Sequence, residues 1–296
     1  MWRIITIFVV KNNHLGRNYM RKKPIIALIY DFDGTLSPGN MQEFGFIQAV
    51  GKTTSEFWTM SDGIAIDHDA SNVLSYMKLM FDEARKSGIA LRRDNFKNFG
   101  AQIELFDGVK QWFKLINDYG KQPGVVIEHY INSSGLKEII EGSPIAHEFK
   151  HVFAGSFIYN DEGEAEWPGV AVDYTAKTQF IFKINKGIFS SQDNKMVNKS
   201  VADERKRVPF SHMVYFGDGD TDVPCMKIVE MFGGHSVAVY NPSNSRKKAT
   251  ANKLKKQGRV SFALPAVYTE DSKAFQVVKA IINKIKADYE LLQLSK

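Results

Sequence analysis

The sequence predicts an α/β fold: a doubly wound, mostly parallel, Rossmann-like sheet with an all-helical cap inserted after its first strand. Three observations carry this expectation. Short apolar runs alternate with amphipathic stretches, the pattern of a parallel sheet crossed by helices. Three of these runs end in polar clusters, Asp31/Asp33, Ser133/Ser134 and Asp218/Asp220/Asp222, which one parallel sheet would deliver to the same edge. Residues 37–106, in between, show helical spacing and no convincing strand.

The first strand is Ile25 to Tyr30, apolar and rich in β-branched residues, with Pro24 closing off its start. It runs into Asp31, Asp33 and the turn-permitting Gly34. Side chains two apart in extended chain share a face, so both carboxylates can reach one small volume. In the inserted segment, Met41–Val50, Ser71–Lys86 and a shorter stretch from Asp94 to about Phe99 are the expected helices. Val73, Leu74, Met77, Met80, Phe81 and Ala84 form the apolar side of the second, capped by Ser71 or Asn72 and ended by Gly88. A helix over Val109–Tyr119, a strand over Val125–Ile131, a helix over Leu136–Glu141 and a strand over His151–Tyr159 follow. Thr175–Ile184 reads as a short helix and 186–207 as a polar excursion. Strands at His212–Phe216, Ser236–Tyr240 and Val260–Leu264 precede a closing helix over Phe275–Leu294. The expected division is a leader over 1–23, a core over 24–36 and 107–296, and a cap over 37–106.

Composition bounds the function classes. The 296 residues are 44% hydrophobic and 24% charged, values of an ordinary soluble globular protein. One cysteine, Cys225, excludes an intramolecular disulfide and fits a reducing compartment, so a cytoplasmic location is expected. The net charge of +6 suits small anionic substrates as well as nucleic acid, and no aromatic-basic motif points to nucleic acid. The apolar run Ile4–Val10 falls far short of the roughly 20 residues that cross a bilayer. No small-residue cleavage site follows it, and Met20 stands as an alternative start, so 1–23 reads as a disordered or misassigned leader and no membrane partner is expected. Self-association is left open.

Several acids at one sheet edge repel each other unless a hard divalent cation such as Mg²⁺ joins them. A carboxylate nucleophile, that ion, a hydroxyl and a lysine together suit phosphoryl transfer. The motifs Asp31-Phe32-Asp33-Gly34-Thr35, Ser133, a later lysine and Gly217-Asp218-Gly219-Asp220-Thr221-Asp222 resemble, in order, those of the haloacid dehalogenase-like (HAD) hydrolases. The resemblance spans about Pro24 to Ala266, and the helical insertion is similar to the cap of the phosphoserine phosphatase-like branch. It implies Asp31 as nucleophile and magnesium ligand, and Asp33 as general acid and base whose backbone carbonyl touches the metal. It further implies Ser133 on the phosphoryl group, Asp218 completing the metal's protein ligands, and Asp222 orienting the lysine or a metal-bound water. Lys177 best matches the lysine motif, with Lys183 and Lys186 as substitutes. Dehalogenases of this superfamily lack the acid at the Asp33 position, because a halide needs no proton; an alkoxide does. The implied reaction is hydrolysis of a small phosphorylated metabolite. Phosphotransfer to an alcohol, as in phosphomutases, and a non-catalytic binding protein are the alternatives. The glutamate that phosphoserine phosphatases place shortly after the nucleophile has no counterpart in Ser37-Pro38-Gly39-Asn40, with Glu43 slightly late, so the substrate stays open.

Blander readings cover the remaining features. Neither acidic run meets a calcium loop's needs: the sixth position is Leu36 or Val223, and Val229 stands twelfth in the second run. Cys225 and His129 read as buried packing residues, and Asp67-His68-Asp69 as a solvated loop. Phe57 and Trp58 read as helix packing before pocket lining. The seven basic residues from Arg246 to Arg259 read as a solvated helix face before an anion or nucleic-acid contact.

Overall fold

A computed structural model describes residues 23–202 and 205–295. The expected leader therefore lies, but for Lys23, outside the described residues. Seven strands form one sheet: β1 (Ile25–Tyr30), β2 (Val126–Leu136), β3 (His151–Tyr159), β4 (Ala165–Val170), β5 (Met213–Gly217), β6 (His235–Tyr240) and β7 (Phe262–Pro265). Their order is β4-β3-β2-β1-β5-β6-β7, parallel throughout except for the antiparallel β3–β4 pair.

The helices are α1 (Phe46–Ala49), α2 (Thr54–Asp67), α3 (Asn72–Lys86), α4 (Arg93–Gly100), α5 (Val109–Lys121), α6 (Lys137–Gly142), α7 (Thr178–Lys186), α8 (Asn194–Asn198), α9 (Val223–Met231), α10 (Ser245–Lys256) and α11 (Lys273–Leu294). Residues on β1 alternate between two apolar layers. Ile26, Leu28 and Tyr30 pack with Trp112 of α5 and Val278 of α11, while Ala27 and Ile29 pack with Ile181 of α7 and Met226 of α9. A strand buried on both faces reads as a continuous apolar run, which is why its bounds are visible in the sequence.

The inserted segment is helical, as expected, but differs in detail. Met41–Val50 is not one helix: a 3-10 turn, Met41–Glu43, is separated from α1 by Gly45 at φ 112°. The segment also holds α2, which the apolar spacing does not announce. Its buried residues are only Phe57, Ser61 and Ala65. One capping signal was present, because Thr53 and Glu56 cap each other reciprocally at its start. The edge strand β4 was likewise unforeseen; Pro168 is tolerated there because an edge strand need not donate on both sides.

The chain leaves β1 for β2 and β3 on one side, then crosses to β5, β6 and β7 on the other. The direction of winding therefore reverses at β1, and such a switch point opens a crevice beyond the carboxyl ends of the strands. Asp31 is the residue that follows β1. Helices α1–α4 fall between β1 and α5 in the chain.

Candidate active site

The crevice is a cavity of about 510 Å³. Its floor comes from the three motif segments, with Asp31, Asp33, Ser133 (in the last part of β2) and Asp218 on its lining. Its other wall comes from the inserted segment, with Asn40, Glu43, Trp58, Asp62 and Tyr76.

The backbone N–H of Asp31 donates to the Phe216 carbonyl at 2.9 Å, which ties the first motif to the end of β5. Gly34 then turns the chain at φ 71°, and a Cβ there would lie 2.3 Å from Asp218 Oδ2. Glycine is what lets the first and last motifs approach this closely. One carboxylate oxygen from each of Asp31, Asp218 and Asp222 lies within 4.8 Å of the other two. Asp33 stands apart from this group, its Oδ1 accepting the Met41 N–H at 3.0 Å. Ser133 is buried, and its Oγ accepts the Gly135 N–H at 3.0 Å.

Of Lys177, Lys183 and Lys186, one enters the site. Lys177 is fully buried, and its Nζ lies 2.6 Å from Asp222 Oδ1 and 3.1 Å from Asp31 Oδ2. Its carbonyl accepts from Asn132 Nδ2 at 3.1 Å, which anchors the turn that carries it beside β2. Lys183 instead donates to the carbonyls of Ser190 and Ser191, and Lys186 to those of Val197 and Lys199. These two hold the polar excursion in place. Asp222 is buried, and its Oδ1 also accepts the Tyr215 hydroxyl at 2.9 Å.

The electrostatics follow from this crowding. Burial, reinforced by Asp222 and opposed by Lys177, pushes the Asp31 carboxyl up to about 8. Burial and then the charge of Asp31 hold Asp33 well above the usual carboxylate range. Asp218 is raised by burial against the pull of Lys247. For Lys177, burial opposes the charge, but Asp222 and Asp31 outweigh it and raise the ammonium's pKa. Buried carboxyls raised in this way, Asp31 and Asp218 beside each other, fit a hard divalent cation, whose charge would favour the ionised form of Asp31.

The structure also brings in residues that the motifs do not contain. Lys247, near the start of α10, donates to Asp218 Oδ2 at 2.8 Å and lines the cavity. A sequence signal for it existed: the loop after a parallel strand reaches the same edge as the other motifs, and Lys247 follows β6. Trp58, whose default reading was helix packing, lines the cavity and donates from Nε1 to Glu43 Oε1 at 2.9 Å. Tyr76 also lines it and donates to the Ser134 carbonyl at 2.7 Å, linking α3 to the second motif. Phe57 and Cys225 are fully buried, and His68 and Asp69 are exposed, in line with their blander readings.

A seven-stranded, mostly parallel sheet with acids at its switch point and a helical insertion after its first strand is a haloacid dehalogenase-like fold. The model of the haloacid dehalogenase-like hydrolases matches residues 28–227, and the chain belongs to that family. An uncharacterized protein of Borreliella burgdorferi is 30% identical over 282 residues, covering 86% of this chain and 95% of that one. Among solved structures, a probable phosphoserine phosphatase from Vibrio cholerae superposes with a TM-score of 0.55 at 12% identity, over 90% of this chain and 67% of that chain. A substrate-bound phosphoserine phosphatase gives 0.52 at 16% identity, over 84% and 96%. At these identities the likeness is one of fold. Among the described residues, no helix is long and apolar enough to cross a membrane.

Proposed function

We propose that the protein is a magnesium-dependent phosphatase that hydrolyses a small phosphomonoester through an aspartyl phosphate. The observation that carries this is Lys177, fully buried and shared between Asp31 and Asp222, beside a second acid on the same loop. In this reading an Asp31 carboxylate oxygen bonds to phosphorus as the ester P–O bond breaks. Asp33 gives its proton to the departing alkoxide; its raised pKa keeps it in the protonated form that step needs. Asp33 then takes a proton from water, which attacks phosphorus and releases inorganic phosphate and Asp31. Ser133 donates to the phosphoryl oxygens, and Lys177 offsets the repulsion between phosphate and carboxylate. Asp31, Asp218 and the Asp33 carbonyl would hold the Mg²⁺, and Asp222 orients Lys177. Bound there, the ion would neutralise charge on the phosphoryl oxygens.

The helices of residues 37–106 serve as the cap, and their closure excludes water while selecting the leaving group. That wall is polar: Asn40, Glu43 and Asp62 stand on it beside Trp58, a lining suited to a small leaving group rich in hydrogen-bonding atoms. The single buried thiol suits the cytoplasm. The test is phosphate release from a panel of phosphorylated metabolites with Mg²⁺. Asp31→Asn is expected to abolish turnover, by roughly 10⁴-fold or more. Unchanged turnover in that variant, or no release from any panel member, defeats the proposal.

A further inference from the structure

Among the described residues, the carboxylate cluster has two ammonium partners, and they differ in how they are held. Lys177 is fully buried between two carboxylates, with no other place to go. Lys247 is 48% exposed and pairs with Asp218, itself only 13% exposed. It belongs to α10, whose neighbouring Arg246 and Lys248 are exposed to water. Lys247 can therefore return its ammonium to water when another positive charge takes its place at Asp218, because only the acid side of this pair is buried. For Lys177, leaving Asp31 and Asp222 would strand two buried charges.

We infer that Lys247 is a displaceable counter-ion: it neutralises Asp218 while no divalent cation is bound, and moves to the substrate's phosphate when one binds. The inference rests on the magnesium-dependent reading above. A cation held by Asp31, Asp218 and the Asp33 carbonyl would draw on the Asp218 carboxylate, and Lys247 Nζ lies 2.8 Å from that side chain's Oδ2. Two positive charges on one carboxylate repel, so the more mobile one yields. Lys247 already lines the cavity, so once released it adds a positive charge to the wall facing the phosphate. Metal and anion then favour each other's binding, with Lys247 carrying part of the coupling.

Isothermal titration of Lys247→Met with Mg²⁺ alone, and with inorganic phosphate at saturating Mg²⁺, tests this. Removing the competitor is expected to tighten Mg²⁺ binding about fivefold and to weaken phosphate binding about fivefold. Lys247→Arg should lie between the variant and wild type. Lys248→Met removes an equal charge one residue along and should change neither constant by more than about twofold. If Lys247→Met binds Mg²⁺ no more tightly than wild type, or if Lys248→Met matches it, the inference is overturned. If phosphate affinity is unchanged, the transfer to substrate is overturned. Wild-type protein that binds no Mg²⁺ defeats the underlying reading instead, and the inference with it.

Discussion

Replacing Lys177 by methionine isolates the interaction on which the site depends. The variant keeps the length of the side chain but leaves Asp222, which is fully buried, with only the Tyr215 hydroxyl at 2.9 Å and a long 3.5 Å contact from the Gly219 N–H. Asp31 keeps the Phe32 N–H at 2.8 Å. Removing one partner of a buried ion pair costs about 3–5 kcal/mol, because the other charge stays out of water. Here protonation offers partial relief, since the Asp31 carboxyl already sits near 8 with the lysine present. A carboxyl raised in the fold binds its proton more tightly there than in the unfolded chain. Its contribution is thus present at low pH and is lost as pH rises towards about 8. The variant should therefore lose roughly 3 kcal/mol or more at about pH 8 and clearly less at about pH 6. Urea unfolding followed by tryptophan fluorescence reads both values. Adding Asp222→Asn removes the stranded charge and should recover at least about half of the loss. A Lys177→Met variant within about 1 kcal/mol of wild type at the higher pH would refute the reasoning. So would a double variant no more stable than the single one.

Gly34→Ala forces a side chain into positive φ and puts its Cβ 2.3 Å from Asp218 Oδ2. It should lower stability by about 1 kcal/mol or more and abolish both Mg²⁺ binding and phosphate release, and normal Mg²⁺ binding would refute the close approach. His129 lies buried in a chain of hydrogen bonds from Trp112 through Tyr30 to Asn117, and burial pushes its pKa down to about 3. Its neutral form contributes stability above an unfolded pKa of about 6.5 that is lost as pH falls towards about 3, by up to roughly 5 kcal/mol. Urea midpoints of His129→Gln should therefore fall less steeply with acid than those of wild type, and equal slopes would sink this account.

What the sequence discloses depends on whether a residue's environment is set by its neighbours in the chain. Ile25–Tyr30 is buried on both faces, so its composition alone marks the strand and places Asp31 and Asp33 at its end. Helix α2 hides because it buries only a narrow line of three residues, and β4 hides because Pro168 and Gly169 are tolerated only at an edge. The site divides in the same way. Asp31, Asp33, Asp218 and Asp222 sit in local motifs at strand ends, Ser133 lies in the last part of β2, and the parallel topology predicts that they meet. Lys177 is a harder case, since three lysines lie within ten residues of one another and only the resemblance of its local sequence to the family's lysine motif favours it. Their partners in the fold separate them: Lys183 and Lys186 spend their ammonium groups on the carbonyls of the excursion that follows, leaving Lys177 as the one lysine of the three placed between carboxylates. Lys247 lay within a basic run whose other members face water, so the run as a whole reads correctly as a solvated face. The exception arises because α10 begins where β6 delivers it, beside Asp218, and that placement brings one lysine of the run against the carboxylate cluster.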